Sequence, residues 1–297
     1  MLRFTKMHGI GNDYVYVNGF EESVPDPVTT AKKIADRHFG VGGDGLIMVL
    51  PPQPGVAANV RMRMFNADGS ESEMCGNGIR CVCKLAHDRG LSRANPMKIQ
   101  TGAGVLSLAY TVDGTGKVDR VTVDMGEPML RLADVPVLEN QLSWFDAKQH
   151  AGAIETTEGW VGTFVSMGNP HMVVFNDANA MIEMVGLPRL DLEKIGPLLE
   201  HHKAFPKRIN VHFVQVVSRN EVIMRTWERG SGITLACGTG AAAVCVAGAL
   251  TGRTEREILA HLPGGDLSLR WEQATNHIFK TGPATEVFTG IWTAHSS

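Results

Sequence analysis

Glu73-Met-Cys-Gly-Asn-Gly-Ile-Arg-Cys81 and its echo Leu235-Ala-Cys-Gly-Thr-Gly-Ala241 are the stretches from which the rest of the chain is read. Each sets a thiol directly before a Gly-x-Gly turn, and each turn leads into a run patterned as a helix. A helix start offers backbone N–H groups without intrahelical acceptors and the positive end of the macrodipole. A cysteine there is expected to have a lowered pKa and an accessible thiolate. One such cysteine is a candidate nucleophile or base. Two in matched settings suggest a base and an acid acting on opposite faces of one carbon.

Working outward, the two cysteines, Cys75 and Cys237, lie 162 positions apart. At that offset Val60-Arg-Met-Arg-Met-Phe65 aligns with Val222-Ile-Met-Arg-Thr-Trp227. At nearly the same offset Gly104-Val-Leu-Ser-Leu108 aligns with Gly265-Asp-Leu-Ser-Leu269. Gly11-Asn-Asp-Tyr14 resembles Gly168-Asn-Pro-His171, and Met125-Gly-Glu-Pro128 sits where Thr281-Gly-Pro283 does. Four matches in one order indicate a duplicated unit.

Each half then reads strand, helix, strands, cysteine helix, strands. Val28 to His38 has helical spacing, and the first cysteine helix runs from about Cys75 to Asp88. Ala241-Ala-Ala-Val-Cys-Val-Ala-Gly-Ala-Leu250 is apolar on every side, which marks a buried helix. The expected class is α+β: two pseudo-symmetric domains, each a mostly antiparallel sheet or barrel wrapped round a central helix. The expected domains are 1–128 plus 285–297, carrying Cys75, and 129–284, carrying Cys237. Thr285 to Trp292 is a left-over strand that returns to complete the first domain.

The bulk properties narrow the function. The chain has 297 residues, 43% hydrophobic and 20% charged, with a formal net charge of −3 and no long Lys/Arg block. Nucleic acid is therefore not an expected partner. No apolar run reaches the ~20 residues of a membrane helix. Met1 to His8 lacks the apolar core of a signal peptide, so a cytoplasmic protein is expected. Five cysteines without CxxC spacing speak against a disulfide framework and against zinc.

A thiol suits proton abstraction because its pKa of ~8.5 can be tuned close to working pH. Amides at the two helix starts, those of Gly76, Asn77, Gly238 and Thr239, are placed to stabilise a carbanion beside a carboxylate. Asn12 and Asn169 occupy matching turns, as do Asp44 and Asn210 more loosely; turn formation alone would also explain them. Asn66 and Glu228 occupy matching positions ahead of their cysteines. Glu228 and Arg229 together can bind an ammonium and a carboxylate, or form a simple exposed ion pair. His171 can orient or deprotonate a thiol, or be a half-buried strand histidine. Cys81, Cys83 and Cys245 lie within the helices and are expected to pack.

On these residues the chain resembles the diaminopimelate epimerase family. The resemblance runs from His8-Gly-Ile-Gly-Asn-Asp13 to Thr281-Gly-Pro-Ala-Thr-Glu-Val-Phe288. Its most specific pieces are Phe65-Asn-Ala-Asp-Gly-Ser-Glu71, Met74 to Cys81, Gly168 to His171, Trp227-Glu-Arg-Gly230 and Ala236 to Gly240. It implies interconversion of LL- and meso-diaminopimelate, on the route to lysine and cell-wall cross-links, with no cofactor and no metal. It implies Cys75 and Cys237 as the acid–base pair and His171 and Glu228 as groups assisting the thiols. It implies Asn12, Asn66, Asn169, Asn210 and Arg229 as substrate-binding, with the amides that follow each cysteine. It also implies a homodimer. Part of the family carries Gln where this chain has Gly45, so a side-chain contact there is missing. Leu130 to Trp160 matches poorly. Two other readings are a proline or hydroxyproline epimerase and a non-catalytic thiol protein on the same fold. If the thiols face each other, oxidation to a disulfide is expected to inactivate reversibly.

Overall fold

The computed structural model describes residues 1–156 and 159–293. Positions 157, 158 and 294–297, which the sequence reading assigns to the second and first domain respectively, lie outside the described residues. The chain forms two compact units: Met1–Asp124 together with the segment from Thr281, and Met125–Lys280.

In the first unit the order is β1 (Leu2–Gly9), β2 (Asn12–Asn18), α1 (Pro27–Ala35), β3 (Gly45–Leu50), β4 (Val60–Asn66), β5 (Glu71–Ser72), α2 (Gly78–Asp88), β6 (Met97–Thr101), β7 (Gly104–Val112) and β8 (Val118–Asp124). The second unit runs β9 (Leu142–Asp146), β10 (Ala151–Ile154), β11 (Val161–Ser166), β12 (Pro170–Phe175), α3 (Ala180–Val185), α4 (Leu192–Glu200), β13 (Asn210–Ser218), β14 (Glu221–Glu228), β15 (Gly232–Thr234), α5 (Gly238–Leu250), β16 (Glu257–Leu262) and β17 (Gly265–Trp271). Then β18 (Ile278–Pro283) leads to β19 (Thr285–Trp292), which pairs antiparallel with β1.

The pairing sense repeats strand for strand. In the first unit β1–β2 is antiparallel, β2–β3 parallel, β3–β4 and β4–β5 antiparallel, β4–β6 parallel and β6–β7 antiparallel. In the second, β11–β12, β12–β13, β13–β14, β14–β15, β14–β16 and β16–β17 follow the same sequence of senses. Parallel neighbours need a crossover, and α1 supplies it between β2 and β3, as α3 and α4 do between β12 and β13. The register makes Gly45 the counterpart of Asn210, because His171 pairs with Asn210 and Val15 with Leu46. The matching of Asp44 with Asn210 read from sequence is thus one residue off.

Each cysteine helix is wrapped by strands of its own unit. Helix α5 packs on β11, β12, β13, β16 and β17, and every residue from Gly240 to Gly248 is buried. Its all-round apolarity is what lets it sit there, since no face has polar side chains to hydrate. Helix α2 packs on β1, β2, β3, β4 and β8. It is buried from Gly78 to His87 although its sequence is amphipathic, because Arg80, Lys84 and His87 find internal partners. It starts at Gly78 rather than Cys75, so Cys75 to Asn77 form the turn that enters it.

Candidate active site

The sequence Cys-Gly-Asn-Gly follows β5 by two residues and opens α2 so that the sulfur itself caps the helix. The Gly78 amide donates to Cys75 Sγ at 3.3 Å, and the Ile79 amide to the Cys75 carbonyl at 2.9 Å. The amides of Gly76 and Asn77 meet no acceptor among the described residues. Arg80, fully buried, ties this turn down: its guanidinium donates to the Gly76 carbonyl at 3.1 Å, Asn77 Oδ1 at 3.0 Å and the Pro283 carbonyl at 3.1 Å. The turn packs closely on β3: a Cβ on Gly78 would lie 2.8 Å from Ile47 Cδ1, so the Ile47 side chain would have to shift to admit one.

Asn12, at the start of β2, is brought to this thiol. The Cys75 S–H donates to Asn12 Oδ1 at 3.3 Å, and Asn12 Nδ2 donates to Asp44 Oδ2 at 2.7 Å. Asp44 also takes the Asp13 amide and, with Asp13, the Arg37 guanidinium. Asn66 is near Asp44 through the β3–β4 ladder, but its side-chain amide closes its own turn onto Ser70 Oγ at 3.0 Å. Gly45, opposite Asn66, adopts φ +155°, and a Cβ there would fall 2.0 Å from the Phe65 carbonyl oxygen. A side chain at position 45 is thus excluded by this backbone.

The second unit builds the equivalent corner differently. Cys237 is buried, its Sγ 3.7 Å from Thr239 Oγ1, and the Gly240 amide points at the sulfur as Gly78 does at Cys75. The amides of Gly238 and Thr239 meet no acceptor among the described residues. Glu228, at the end of β14, lies against the thiol and accepts from Thr234 Oγ1 at 2.6 Å. Burial raises the Glu228 carboxyl above its ordinary range. Burial, and then the Glu228 charge, push the Cys237 thiol up to about 12, against the lowering effect of Thr239 and Gly240. A lowered pKa at this helix start, expected from sequence, is therefore not found at Cys237. Desolvation of the thiolate outweighs the amides and the macrodipole.

Asn169 and His171 stand before and within β12. His171, fully buried, places Nε2 2.9 Å from Asn169 Oδ1, and Asn169 Nδ2 donates to Thr239 Oγ1 at 3.4 Å. Burial first, then His212 and Arg229, hold the His171 imidazole well below its usual range, so it is neutral. Asn210 is brought to the Glu228–Arg229 turn: its Oδ1 accepts the Arg229 amide at 2.9 Å, and its Nδ2 donates to the Pro170 carbonyl at 2.8 Å. The Arg229 guanidinium donates to the Lys207 carbonyl at 2.9 Å, and no ion pair joins it to Glu228.

Sequence reasoning missed His212, which meets His171, and Thr234, which meets Glu228; it also missed Thr226, behind His212, and Glu200, which takes the Gly230 amide just past Arg229. The signal was the two-residue period of a strand. His212 follows Asn210 by two positions, and Thr226 precedes Glu228 by two, so each shares a face with a residue already singled out. Among the described residues no group of three His, Cys, Asp or Glu is arranged to hold a metal ion, and no helix is long and apolar enough to cross a membrane.

The family model described as diaminopimelate epimerase matches residues 4–130 and 163–287. The chain is 50% identical over 296 residues to the diaminopimelate epimerase of Agathobacter rectalis, covering 97% of this chain and 98% of that one. Among solved structures it is similar to a phenazine biosynthesis protein of the PhzF family from Bacillus anthracis. That match has a TM-score of 0.65 at 16% identity and covers 97% and 98% of the two chains. It is also similar to a hydroxyproline epimerase from Agrobacterium vitis, with a TM-score of 0.63 at 14% identity over 97% and 91%. At such identities the two structures show the shared fold.

Proposed function

The chain belongs to the diaminopimelate epimerase family, an isomerase family, and we propose that Cys75 and Cys237 are the base and the acid of its reaction. One thiolate takes the α-proton of diaminopimelate: the C–H bond breaks, its electron pair stays on the carbon, and the proton passes to sulfur. The other thiol gives its proton to the opposite face of that carbon, forming the new C–H bond and inverting the centre. The two sulfurs exchange roles with the direction of reaction, between the LL and meso forms.

The observation that carries this reading is the repetition of one ladder, in which each unit sets a thiol at the start of its buried helix. In this reading the compact units correspond to the duplicated domains. The free amides of Gly76, Asn77, Gly238 and Thr239 would bind the substrate carboxylate, where a helix start best stabilises the developing charge. His171 and Glu228 would assist the thiols. Asn12, Asn66, Asn169, Asn210 and Arg229 would hold the remaining polar groups. The reaction needs no cofactor, because the proton is exchanged between two groups of the protein. We propose further that the chain serves the supply of lysine and of cell-wall precursors, acts in the cytoplasm and forms a homodimer; what supports this is its membership of the family.

Incubation in deuterium oxide tests it. Deuterium should enter the α-carbon of diaminopimelate and not that of proline. Cys75→Ala and Cys237→Ala should each abolish epimerisation with the fold retained. Exchange into proline alone would favour a proline or hydroxyproline epimerase, and no exchange into either would leave a binding or redox protein.

A further inference from the structure

Behind Cys237 the second unit holds a file of buried polar side chains. Thr226 Oγ1 lies 3.0 Å from His212 Nδ1, and His212 Nε2 lies 2.8 Å from His171 Nδ1. His171 Nε2 is 2.9 Å from Asn169 Oδ1, Asn169 Nδ2 is 3.4 Å from Thr239 Oγ1, and Thr239 Oγ1 is 3.7 Å from Cys237 Sγ. His171 and His212 are both fully buried.

The direction of this file follows from proton counting. A neutral imidazole has one N–H and one acceptor nitrogen. Burial keeps both rings neutral, lowering His212 to about 3. The Thr226 hydroxyl, 2% exposed, has His212 as its one side-chain partner among the described residues. Its hydrogen is satisfied only if it donates to His212 Nδ1. His212 must then carry its proton on Nε2 and donate to His171 Nδ1. His171 in turn carries its proton on Nε2 and donates to Asn169 Oδ1. Asn169 donates to Thr239, which leaves the Thr239 hydroxyl hydrogen for the sulfur.

The first unit shows that the fold itself does not require these groups. Thr226 and His212 are register partners on β14 and β13, and their counterparts on β4 and β3 are Met64 and Ile47, also register partners. Tyr14 stands in the place of His171. The His212 ring is also seated against the start of α5, where a Cβ on Gly240 would lie 2.1 Å from its Cε1.

We propose that Thr226 and His212 are positioning residues that fix a one-way chain of five hydrogen bonds ending on the Cys237 sulfur. The chain meets a forming thiolate with a donor and keeps His171 as an Nε2–H donor. Two charged groups bear on it: Glu228, against Cys237, and Arg229, near His171. The inference rests on the reading that Cys237 is one of the two reacting thiols.

Nitrogen-15 NMR of the imidazoles in the full chain tests the direction. His171 and His212 should both show a protonated Nε2 and a bare Nδ1, unchanged between about pH 5 and 8. A protonated Nδ1 on either ring would overturn the assignment, whatever the variants do. His212→Gln retains a donor toward His171 Nδ1 and should keep both the His171 pattern and turnover. His212→Glu presents an acceptor and should move the His171 proton to Nδ1. In a Cys75→Ala background it should also slow alkylation of Cys237 by iodoacetamide about tenfold, equal to one unit of thiol pKa. If His212→Glu changes neither, the positioning role is wrong. If it changes both while epimerisation by the His212→Glu single variant is unaffected, the chain stands and the role of Cys237 in turnover falls.

Discussion

The Cys75 sulfhydryl donates to Asn12 Oδ1 over 3.3 Å, and it can do so because the other end of that amide is already committed to Asp44. An amide has a donor end and an acceptor end, and the partner of one decides what the other offers. Asp44, held by Arg37 and the Asp13 amide, thus aims an oxygen at the sulfur from two residues away. Asn12→Ala should lower kcat/KM by about 10²-fold, within the usual range for a group acting on the proton-transfer step. Asp44→Asn, which lets the amide turn over, should cost less than Asn12→Ala. Steady-state kinetics beside melting curves would check this. A fall in activity explained by unfolding, or an Asn12→Ala enzyme of full activity, would remove Asn12 from the site.

At Cys237 the sign of the electrostatics gives a pH prediction. The thiol is pushed up to about 12 by burial and then by Glu228. The thiolate fraction should therefore rise tenfold per pH unit with no plateau through the neutral range. Glu228→Gln removes a negative charge, so the thiol pKa must move down and alkylation of Cys237 at fixed pH must speed up. Turnover should fall in the same variant if the carboxylate assists proton transfer. The two rates moving in opposite directions is the diagnostic result; slower alkylation would mean that the carboxylate does not bear on the thiol.

Much of this was legible in the sequence, and the parts that were not share a physical cause. The apolar run Ala241 to Leu250 identifies a buried helix because nothing on it requires water, and the structure buries it from Ala241 to Gly248. The repeat is legible because strand–turn–helix modules keep their turn glycines and their alternation. The central place of α2 rests less on its own residues: it carries Arg80, Lys84 and His87, which can be buried only because other elements supply their partners. His212 was only half legible for the same reason. The strand period sets His212 on the face of Asn210, but only the fold brings it within 2.8 Å of His171. The raised Cys237 pKa is likewise a burial effect, set by how many strands close over the helix start.

The far end of α2 carries a stability prediction. The Asp88 carboxylate accepts the Val118 amide at 2.9 Å and lies 2.9 Å from Lys84 Nζ, with His87 at 3.1 Å, and its side chain is only 2% exposed. Burial by itself would raise this carboxyl, but the Val118 amide, Lys84 and His87 together hold it below the usual carboxylate range. A lowered carboxyl pKa contributes stability that is present above the unfolded value of ~3.9 and is lost as pH falls through the folded value. Asp88→Asn should cost about 3 kcal/mol at neutral pH, because Lys84 is left as a buried unpaired charge. The gap between the two proteins in denaturant unfolding should narrow below about pH 4. A gap that is constant with pH would show that the charge of Asp88 is irrelevant.

Glu200 controls the turn that carries Glu228 and Arg229. It sits at the end of α4, 3% exposed, and takes three donors: the Trp227 indole at 2.8 Å, the Gly230 amide at 3.1 Å and Arg208 at 3.3 Å. The helix reaches the turn closely because residue 196 is glycine; a Cβ there would lie 2.1 Å from the Trp227 ring. Gly196→Ala should therefore force the indole away and cost about 1–3 kcal/mol, the usual range for overpacking a filled site. Glu200→Gln keeps the volume but has one acceptor oxygen for three donors, so one of them goes unmet. Because Glu228 lies between Trp227 and the Gly230 turn, that variant should lose activity out of proportion to its loss of stability. Trp227 fluorescence would report the loosened indole directly. A Glu200→Gln protein with shifted fluorescence and undiminished kcat would mean that the turn need not be held tightly for Glu228 to act.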